Sequence, residues 1–390
     1  MFKDEIRIHL VQKILPFWMG LKDEKYGGFY GYMDNNLLLN RTADKGCILN
    51  SRILWTFSTA ARQLGNPEYR EFADCAMDFF SKFEDPDNGG VYWSVTFDGR
   101  PADTTKHTYC QAFAVYGLAA YYRLTGKQEA LDKAMNLFRI MESRCKDENG
   151  YLEAMKADFS PESNEKLSEN GIMASRTMNT LLHVVEAYTE LHRACPDGQV
   201  MVAAVEGLNQ LLERVYNPEK RRLEVFFDGD FQPILDMQSY GHDIESSWLI
   251  WDAAEYFLRP DGREAWQNMC QDLLESTTER AFTDHGLHYE MVNGERNTTR
   301  AWWPQAETML GFEFGWRETK DPVWLERMKT QWHYILDTTV DPRRGSEWFN
   351  ELREDGTLIE EKPMVDEWKC PYHNGRMCLR LAAAALPADF

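Results

Sequence analysis

The feature that most constrains this chain is a turn that keeps returning. Six segments each join a polar turn to a short aromatic or β-branched run: DEKYGGFYGY (23–32), DPDNGGVYWSV (85–95), KDENGYLEAM (146–155), NPEKRRLEVFF (217–227), TDHGLHYEM (283–291) and DPRRGSEWFNEL (341–352). Such runs read as small strands opening from tight turns. The glycines at 28, 90, 150, 286 and 345 are 62, 60, 136 and 59 residues apart, and the long gap contains the weaker copy at 217–227. The chain therefore divides into six units of about 60–70 residues.

Between the turns the apolar spacing predicts two helices per unit. They are Lys45–Leu64 and Pro67–Phe83, Lys106–Leu124 and Lys127–Arg144, Ile172–Arg193 and Gln199–Val215, Tyr240–Leu258 and Asp261–Arg280, and Trp302–Glu318 and Pro322–Leu336. The last unit offers Tyr372–Leu386, whose natural partner is the N-terminal stretch Asp4–Met19. Asn66-Pro67 and Asp321-Pro322 place proline at a first helical position. Twelve helices in six hairpins predict an all-α toroid, an (α/α)6 barrel with short β-hairpin segments in its loops, formed by one domain over 1–390. An open solenoid is the alternative. Closure is favoured because it leaves no terminal repeat with an exposed apolar face.

Composition narrows the partners. There are 43 Lys+Arg against 63 Asp+Glu, a formal charge of −20. That balance argues against nucleic acid and anionic membranes, which both require a basic face. The N-terminal apolar pattern is broken by Asp4, Glu5, His9 and Lys13, so no signal-peptide core is present. No run of apolar residues is long enough to span a bilayer. The eight cysteines are scattered and never spaced C-x2-4-C, which predicts free buried thiols. A cytosolic protein is expected, and the Asn297-Thr298-Thr299 triplet then carries no glycan.

If six inner helices converge on an axis, their first turns meet in one pocket. Polar or aromatic residues recur there three or four apart, hence on one face: His107 with Gln111, Asn179 with His183, His242 with Glu245, Trp303 with Glu307, and His373 with Arg376. Arg52 comes from the first unit. Each has a structural alternative. A lone histidine at a helix start is more often a cap, the Trp302-Trp303 pair more often core, and Glu245 and Glu307 suit ion pairs with Arg52 or Arg376. The coincidence of four histidines at matching places in four repeats shifts the balance toward a ligand site. The other histidines (9, 192, 285, 288 and 333) do not share that place and read as surface or structural.

Motifs for zinc proteases, nucleophile elbows, P-loops and dinucleotide binding are absent. Three imidazoles, at 183, 242 and 373, would suit zinc, but helical spacing alone does not bring their nitrogens to one point. Proton transfer fits better, since imidazole titrates near neutrality. Glu245 would orient one imidazole, and Arg52 and Arg376 would hold a developing oxyanion. Tyr109, Trp302, Trp303 and Trp368 offer flat apolar faces of the kind pyranose rings prefer. Together these point to a sugar and to proton abstraction beside a carbonyl.

SYGHDIESSWL (239–249), KGCILNSRILW (45–55), MNTLLHVVEAY (178–188), WWPQAET (302–308) and WKCPYHNGRMC (368–378) together resemble the N-acylglucosamine 2-epimerase superfamily, and within it most closely the cellobiose 2-epimerases. The similarity runs the length of the chain. It implies an (α/α)6 barrel and a cofactor-free, metal-free epimerisation at C2 of the reducing-end glucose in β-1,4-linked disaccharides. Cellobiose would become glucosyl-mannose, and lactose epilactose. By the same resemblance His242 and His373 match the two acid/base histidines. Arg52, Tyr109, Asn179, His183, Glu245, Trp303, Glu307 and Arg376 match the lining of the reducing-end site, and Trp368 the residue stacked beneath the sugar. A disaccharide is the expected partner of a monomer or weak homodimer. The competing readings are an aldose–ketose isomerase or an N-acylglucosamine epimerase on the same scaffold, a glycoside hydrolase pairing carboxylates among Asp243, Glu245 and Glu307, and a non-catalytic sugar binder.

Overall fold

The computed structural model describes residues 2–162, 172–387 and 390. The chain is mostly helical. The helices are α1 (Phe2–His9), α2 (Leu15–Met19), α3 (Cys47–Leu64), α4 (Pro67–Phe80), α5 (Thr108–Thr125), α6 (Gln128–Arg144), α7 (Met178–Ala194), α8 (Gly198–Gln210), α9 (Tyr240–Phe257), α10 (Glu264–Ala281), α11 (Trp302–Thr319), α12 (Val323–Tyr334) and α13 (Tyr372–Ala383). A π-helical turn, Leu10–Ile14, runs α1 into α2, so these act as one rod. Similar turns extend α8 through Val215 and α12 through Thr339.

Packing follows the hairpin pattern. Helix α3 packs on α4, α5 on α6, α7 on α8, α9 on α10, and α11 on α12, while α13 is covered by α1. The odd-numbered helices from α3 also pack side by side in the order α3, α5, α7, α9, α11, α13, and α13 returns to α3. Their flanks are buried almost all round. In α5, residues 108–121 are all buried, which a helix achieves only when enclosed by neighbours.

The recurring turns form strands as expected. Antiparallel pairs Lys22↔Phe29, Glu84↔Val91, Lys146↔Tyr151, Asn217↔Arg222, Phe282↔Leu287 and Val340↔Trp348 close the six of them. At Gly90 (φ 74°) and Gly286 (φ 82°) the turns use left-handed backbone that a side chain would strain. A second set of pairs links consecutive units: Lys45↔Val95, His107↔Ala154, Thr177↔Phe226, Ser239↔Glu290 and Ala301↔Glu351. Met33↔Val365 joins the last unit to the first. These pairs explain why α3, α5 and α7 start later than the apolar pattern predicts. Lys45–Gly46, Lys106–His107 and Arg176–Thr177 are strand rather than helix.

One or two side chains per unit lock the turns to the helices that follow. Just ahead of the helix, a cation reaches back: Lys45 Nζ bonds Asp23 Oδ2 at 2.7 Å, Lys106 Nζ pairs with Asp85 at 2.8 Å, Arg176 with Asp147 at 2.6 Å, and Lys369 with Glu347. Within the first helical turn, Gln111 exchanges two bonds of 2.8 Å with the backbone of Val91, and Gln305 two of 2.9 Å with Leu287. Asp243 accepts from Leu223 N at 3.0 Å in the corresponding place. Caps follow the sequence at Asn66, whose Oδ1 accepts from Glu68 N at 3.0 Å. Asp321 does the same for Val323, so Pro322 stands at the cap and not at the first helical residue. All eight cysteines are free. Among the described residues, no helix is long and apolar enough to cross a membrane.

Candidate active site

Helices α3, α5, α7, α9 and α11 each begin directly from a short strand and α13 from the segment held by Lys369, so equivalent positions fall in the same turn of each helix. The second or third residues are Tyr109, Asn179, His242, Trp303 and His373; about one turn deeper come Arg52, His183, Glu245, Glu307 and Arg376. The shallow layer and most of the deeper one open on a single cavity with about 980 Å³ of empty space out to solvent. Its wall includes Arg52, Tyr109, Asn179, His183, His242, Glu245, Trp302, Trp303, Trp368 and His373.

The two expected positions that are not on this wall are Glu307 and Arg376. They stand behind His373. Glu307 Oε1 accepts from His373 Nδ1 at 2.6 Å and from Arg376 NH2 at 2.8 Å, and its other oxygen accepts from Trp248 Nε1 at 3.0 Å. Arg376 also donates to Glu245 Oε1 at 2.6 Å and to Glu186 Oε1 at 2.5 Å. The histidine closest to Glu245 is His373, at 3.8 Å, so Glu307 and not Glu245 orients that ring. His107 and Gln111 are likewise absent from the wall. His107 caps α5 through a 3.3 Å bond from Tyr109 N, and Gln111 holds the turn at Val91. Asp243 also serves a turn, which removes it as a member of any catalytic carboxylate pair.

The three cavity imidazoles are each tied back through Nδ1: His183 to Glu186 Oε2 at 2.7 Å, His242 to Ser239 Oγ at 2.7 Å, and His373 to Glu307. The indole of Trp303 adjoins two of them, with ring centroids 4.6 Å from His242 and 5.5 Å from His373. Gly241 permits this approach, since a Cβ there would stand 2.5 Å from the Trp303 ring. Arg52 donates to Tyr109 Oη at 2.6 Å and to Trp368 O at 3.3 Å, with its guanidinium 4.1 Å from the Phe113 ring. Trp368 packs edge-on against Trp93 at 5.6 Å and tilted against Tyr109 at 5.9 Å.

Burial sets the charge states. It lowers His242 to about 3, helped by the nearby His183 ring. His373 is pushed well down by burial and by Arg376 and Arg52. Both rings are therefore neutral at physiological pH and able to accept a proton. Burial raises Glu245 to about 7, and the adjacent Glu307 adds to this. For Glu186 burial is outweighed by Arg376 and by its bonds from His183 and Tyr372, which hold it down at about 2.

Two wall acceptors, Glu245 Oε2 and Asn179 Oδ1, are buried without a hydrogen-bond partner among the described residues. Buried acceptors left open are costly, so they point to a ligand rich in hydroxyl donors. A metal suits the wall less well. Glu245, Glu307 and His373 bring ligand-type atoms within 4.8 Å of one another, but the Arg376 guanidinium already donates to both carboxylates there.

Sequence reasoning missed Glu186, Tyr372 and Ser239. Glu186 follows His183 by three residues, as Glu245 follows His242, and that repeated spacing was the available signal. Tyr372 donates to Glu186 at 2.5 Å from the first residue of α13.

A ring of helices presenting neutral imidazoles, arginine and indoles to one cavity fits a carbohydrate-active enzyme, and the relatives place it in the isomerase class. The model of the N-acylglucosamine 2-epimerase family matches residues 28–374, and the chain belongs to that family. It is 44% identical over 394 residues to a cellobiose 2-epimerase of Eubacterium cellulosolvens, covering 97% of each chain. A cellobiose 2-epimerase of Ruminococcus albus is 42% identical over 382 residues, covering 98% of each. The solved structure of cellobiose 2-epimerase from Bacillus thermoamylovorans superposes with a TM-score of 0.95 at 39% identity, over 98% of this chain and 99% of that one.

Proposed function

We propose that this chain is a cellobiose 2-epimerase. It interconverts the gluco and manno configurations at C2 of the reducing-end sugar in β-1,4-linked disaccharides, turning cellobiose into glucosyl-mannose and lactose into epilactose. The observation that carries the reading is the shared indole: two neutral imidazoles of different helices adjoin Trp303 on the wall of one cavity. Epimerisation requires removal of a proton from one face of a carbon and its return to the other, hence two proton-transfer groups across one substrate.

The pyranose opens first, because only the aldehyde acidifies the C2 proton. One of His242 and His373 takes that proton through its cavity-facing nitrogen and leaves a planar enediolate. Arg52 and His183 share the charge on O1 and O2. Rotation about C2–C3 presents the other face, where the second imidazole delivers a proton that it draws from water at the open cavity, while the first releases its proton to water. Trp303 and Trp368 supply flat faces for the rings. Tyr109, Asn179 and Glu245 meet hydroxyl groups. Glu307 and Arg376 act through His373, the one orienting the ring and the other holding the carboxylates. No step calls for a metal or an organic cofactor.

We read the scaffold as an (α/α)6 barrel forming one catalytic domain over the chain. The cyclic packing of six helices and the six strand pairs that link consecutive units support this. The enzyme works on a free disaccharide in the cytosol, as a monomer or weak homodimer. The test is proton NMR of cellobiose, lactose, N-acetylglucosamine and mannose incubated separately with the protein. Glucosyl-mannose and epilactose are the expected products. Conversion of mannose to a ketose with no change in cellobiose would replace this reading with an aldose–ketose isomerase.

A further inference from the structure

A continuous hydrogen-bonded chain runs behind the cavity: His183 Nδ1 to Glu186 at 2.7 Å, Glu186 to Arg376 at 2.5 Å, Arg376 to Glu307 at 2.8 Å, and Glu307 to His373 Nδ1 at 2.6 Å. One guanidinium thus bridges two carboxylate–imidazole pairs. Glu186 is buried and is not on the wall of the substrate cavity. Its acceptor capacity is spoken for by His183, the Tyr372 hydroxyl and Arg376.

We infer that Glu186 is a positioning residue that fixes His183 as the Nδ1–H tautomer and presents a bare Nε2 to the cavity as an acceptor for a sugar hydroxyl. This inference rests on reading the cavity as the epimerase site. The reasoning is one of proton counting. An ionised carboxylate accepts only, so the nitrogen facing it must carry the hydrogen, and in a neutral ring the other nitrogen is then a lone pair. Free imidazole side chains have no such constraint. Glu186 stays ionised because Arg376 and Tyr372 donate to it as well. When Nε2 takes a proton, the same carboxylate stabilises the charged ring, which then donates to the enediolate oxygens.

The groups facing His183 come from four helices. From α5 come Tyr109 and Phe113, with ring centroids 5.2 and 4.9 Å away. Helix α13 brings Tyr372, centroid 6.4 Å away, together with His373 and Arg376. Helix α9 brings His242 and Glu245, and α3 brings Arg52, which donates to Tyr109. Among the carboxylates around this ring, it is Glu186 that bonds it directly.

The test reads the tautomer in the sugar-free protein. Nitrogen-15 NMR with His183 assigned by loss of its signals in His183→Asn is expected to show Nδ1 protonated and Nε2 bare in the neutral ring. In Glu186→Gln, whose amide can donate as well as accept, an Nε2–H population should appear. Its kcat should fall roughly 10–100-fold with KM held within about threefold. Glu186→Asp, which keeps the charge, should restore the Nδ1–H form and part of the lost kcat. An Nε2–H ring in the unmodified protein would overturn the inference, whether or not the variants fold. So would a Glu186→Gln protein that keeps both the tautomer and kcat. A protein that shows the expected tautomer but leaves C2 of cellobiose untouched would overturn the epimerase reading instead.

Discussion

Glu307, on α11, accepts a 2.6 Å hydrogen bond from Nδ1 of His373, on α13. The bond crosses from one helical hairpin to the next and sets which nitrogen of His373 faces the cavity. Burial and Arg376 push the His373 ring well down from its ordinary value, so it rests as a base. Replacing Glu307 by Gln keeps the size but removes the charge. Its kcat is expected to fall roughly 10–100-fold with a smaller change in KM, measured as initial rates of epilactose formation.

The two bases should fail separately and completely. His242→Ala and His373→Ala are each expected to lose roughly 10²–10⁴-fold in kcat with cellobiose, the range for a general acid or base. Circular dichroism would show the helices retained. If either variant keeps full activity, that imidazole is not a proton-transfer group.

Gly241 sits against Trp303, and a Cβ there would stand 2.5 Å from the indole. Gly241→Ala must therefore move the ring that adjoins both His242 and His373. A fall of at least about tenfold in kcat/KM is expected, together with a loss of about 1–3 kcal/mol in stability from overpacking. Steady-state kinetics and urea unfolding check the two arms.

The helix starts were the most legible part of the chain. Counted from the first residue of each helix, Arg52, His183, Glu245 and Glu307 all stand sixth, and side-by-side packing of the helices brings them to one level. Counting alone cannot say which side chain a given position serves. Gln111 and His107 have the right spacing, yet Gln111 satisfies the backbone of Val91 and His107 caps α5. Glu186 was missed for the opposite reason: its spacing from His183 repeats that of Glu245 from His242, but an acid three residues after a histidine in mid-helix resembles any solvated pair until α13 closes over it. The strand pairs at 45–46, 106–107 and 176–177 were also illegible, because their partners lie in the next unit, some 50 residues away.

Glu245 supplies a pH dependence with a definite sign. Its folded value, about 7, lies above the ordinary 4.5 of a glutamate. The folded protein therefore binds a proton that the unfolded chain has released. The associated stability is full below about pH 4.5 and declines as pH rises toward and through 7, with a limiting slope of about 1.4 kcal/mol per pH unit. Glu245→Gln abolishes that titration. Its stability relative to the parent, from denaturant midpoints, should improve between about pH 5 and pH 8. A difference that stays constant across this range would exclude the raised value.

Lys45 tests the clamps that set the helix registers. It is buried and bonds both Asp23 and the Gly27 carbonyl, each at 2.7 Å. Lys45→Met leaves the Asp23 carboxylate buried without its counter-charge. The expected cost is about 3–5 kcal/mol, read from chemical denaturation.

The central claim is that C2 of the reducing sugar loses its proton to one imidazole and regains one from another. Carrying out the epimerisation of cellobiose in D2O, and examining the glucosyl-mannose product by proton NMR and mass spectrometry, tests this most directly. Deuterium at C2 of the mannose unit is the expected result. A product that retains its original hydrogen at C2 would contradict the enediolate route, and with it proton transfer by His242 and His373.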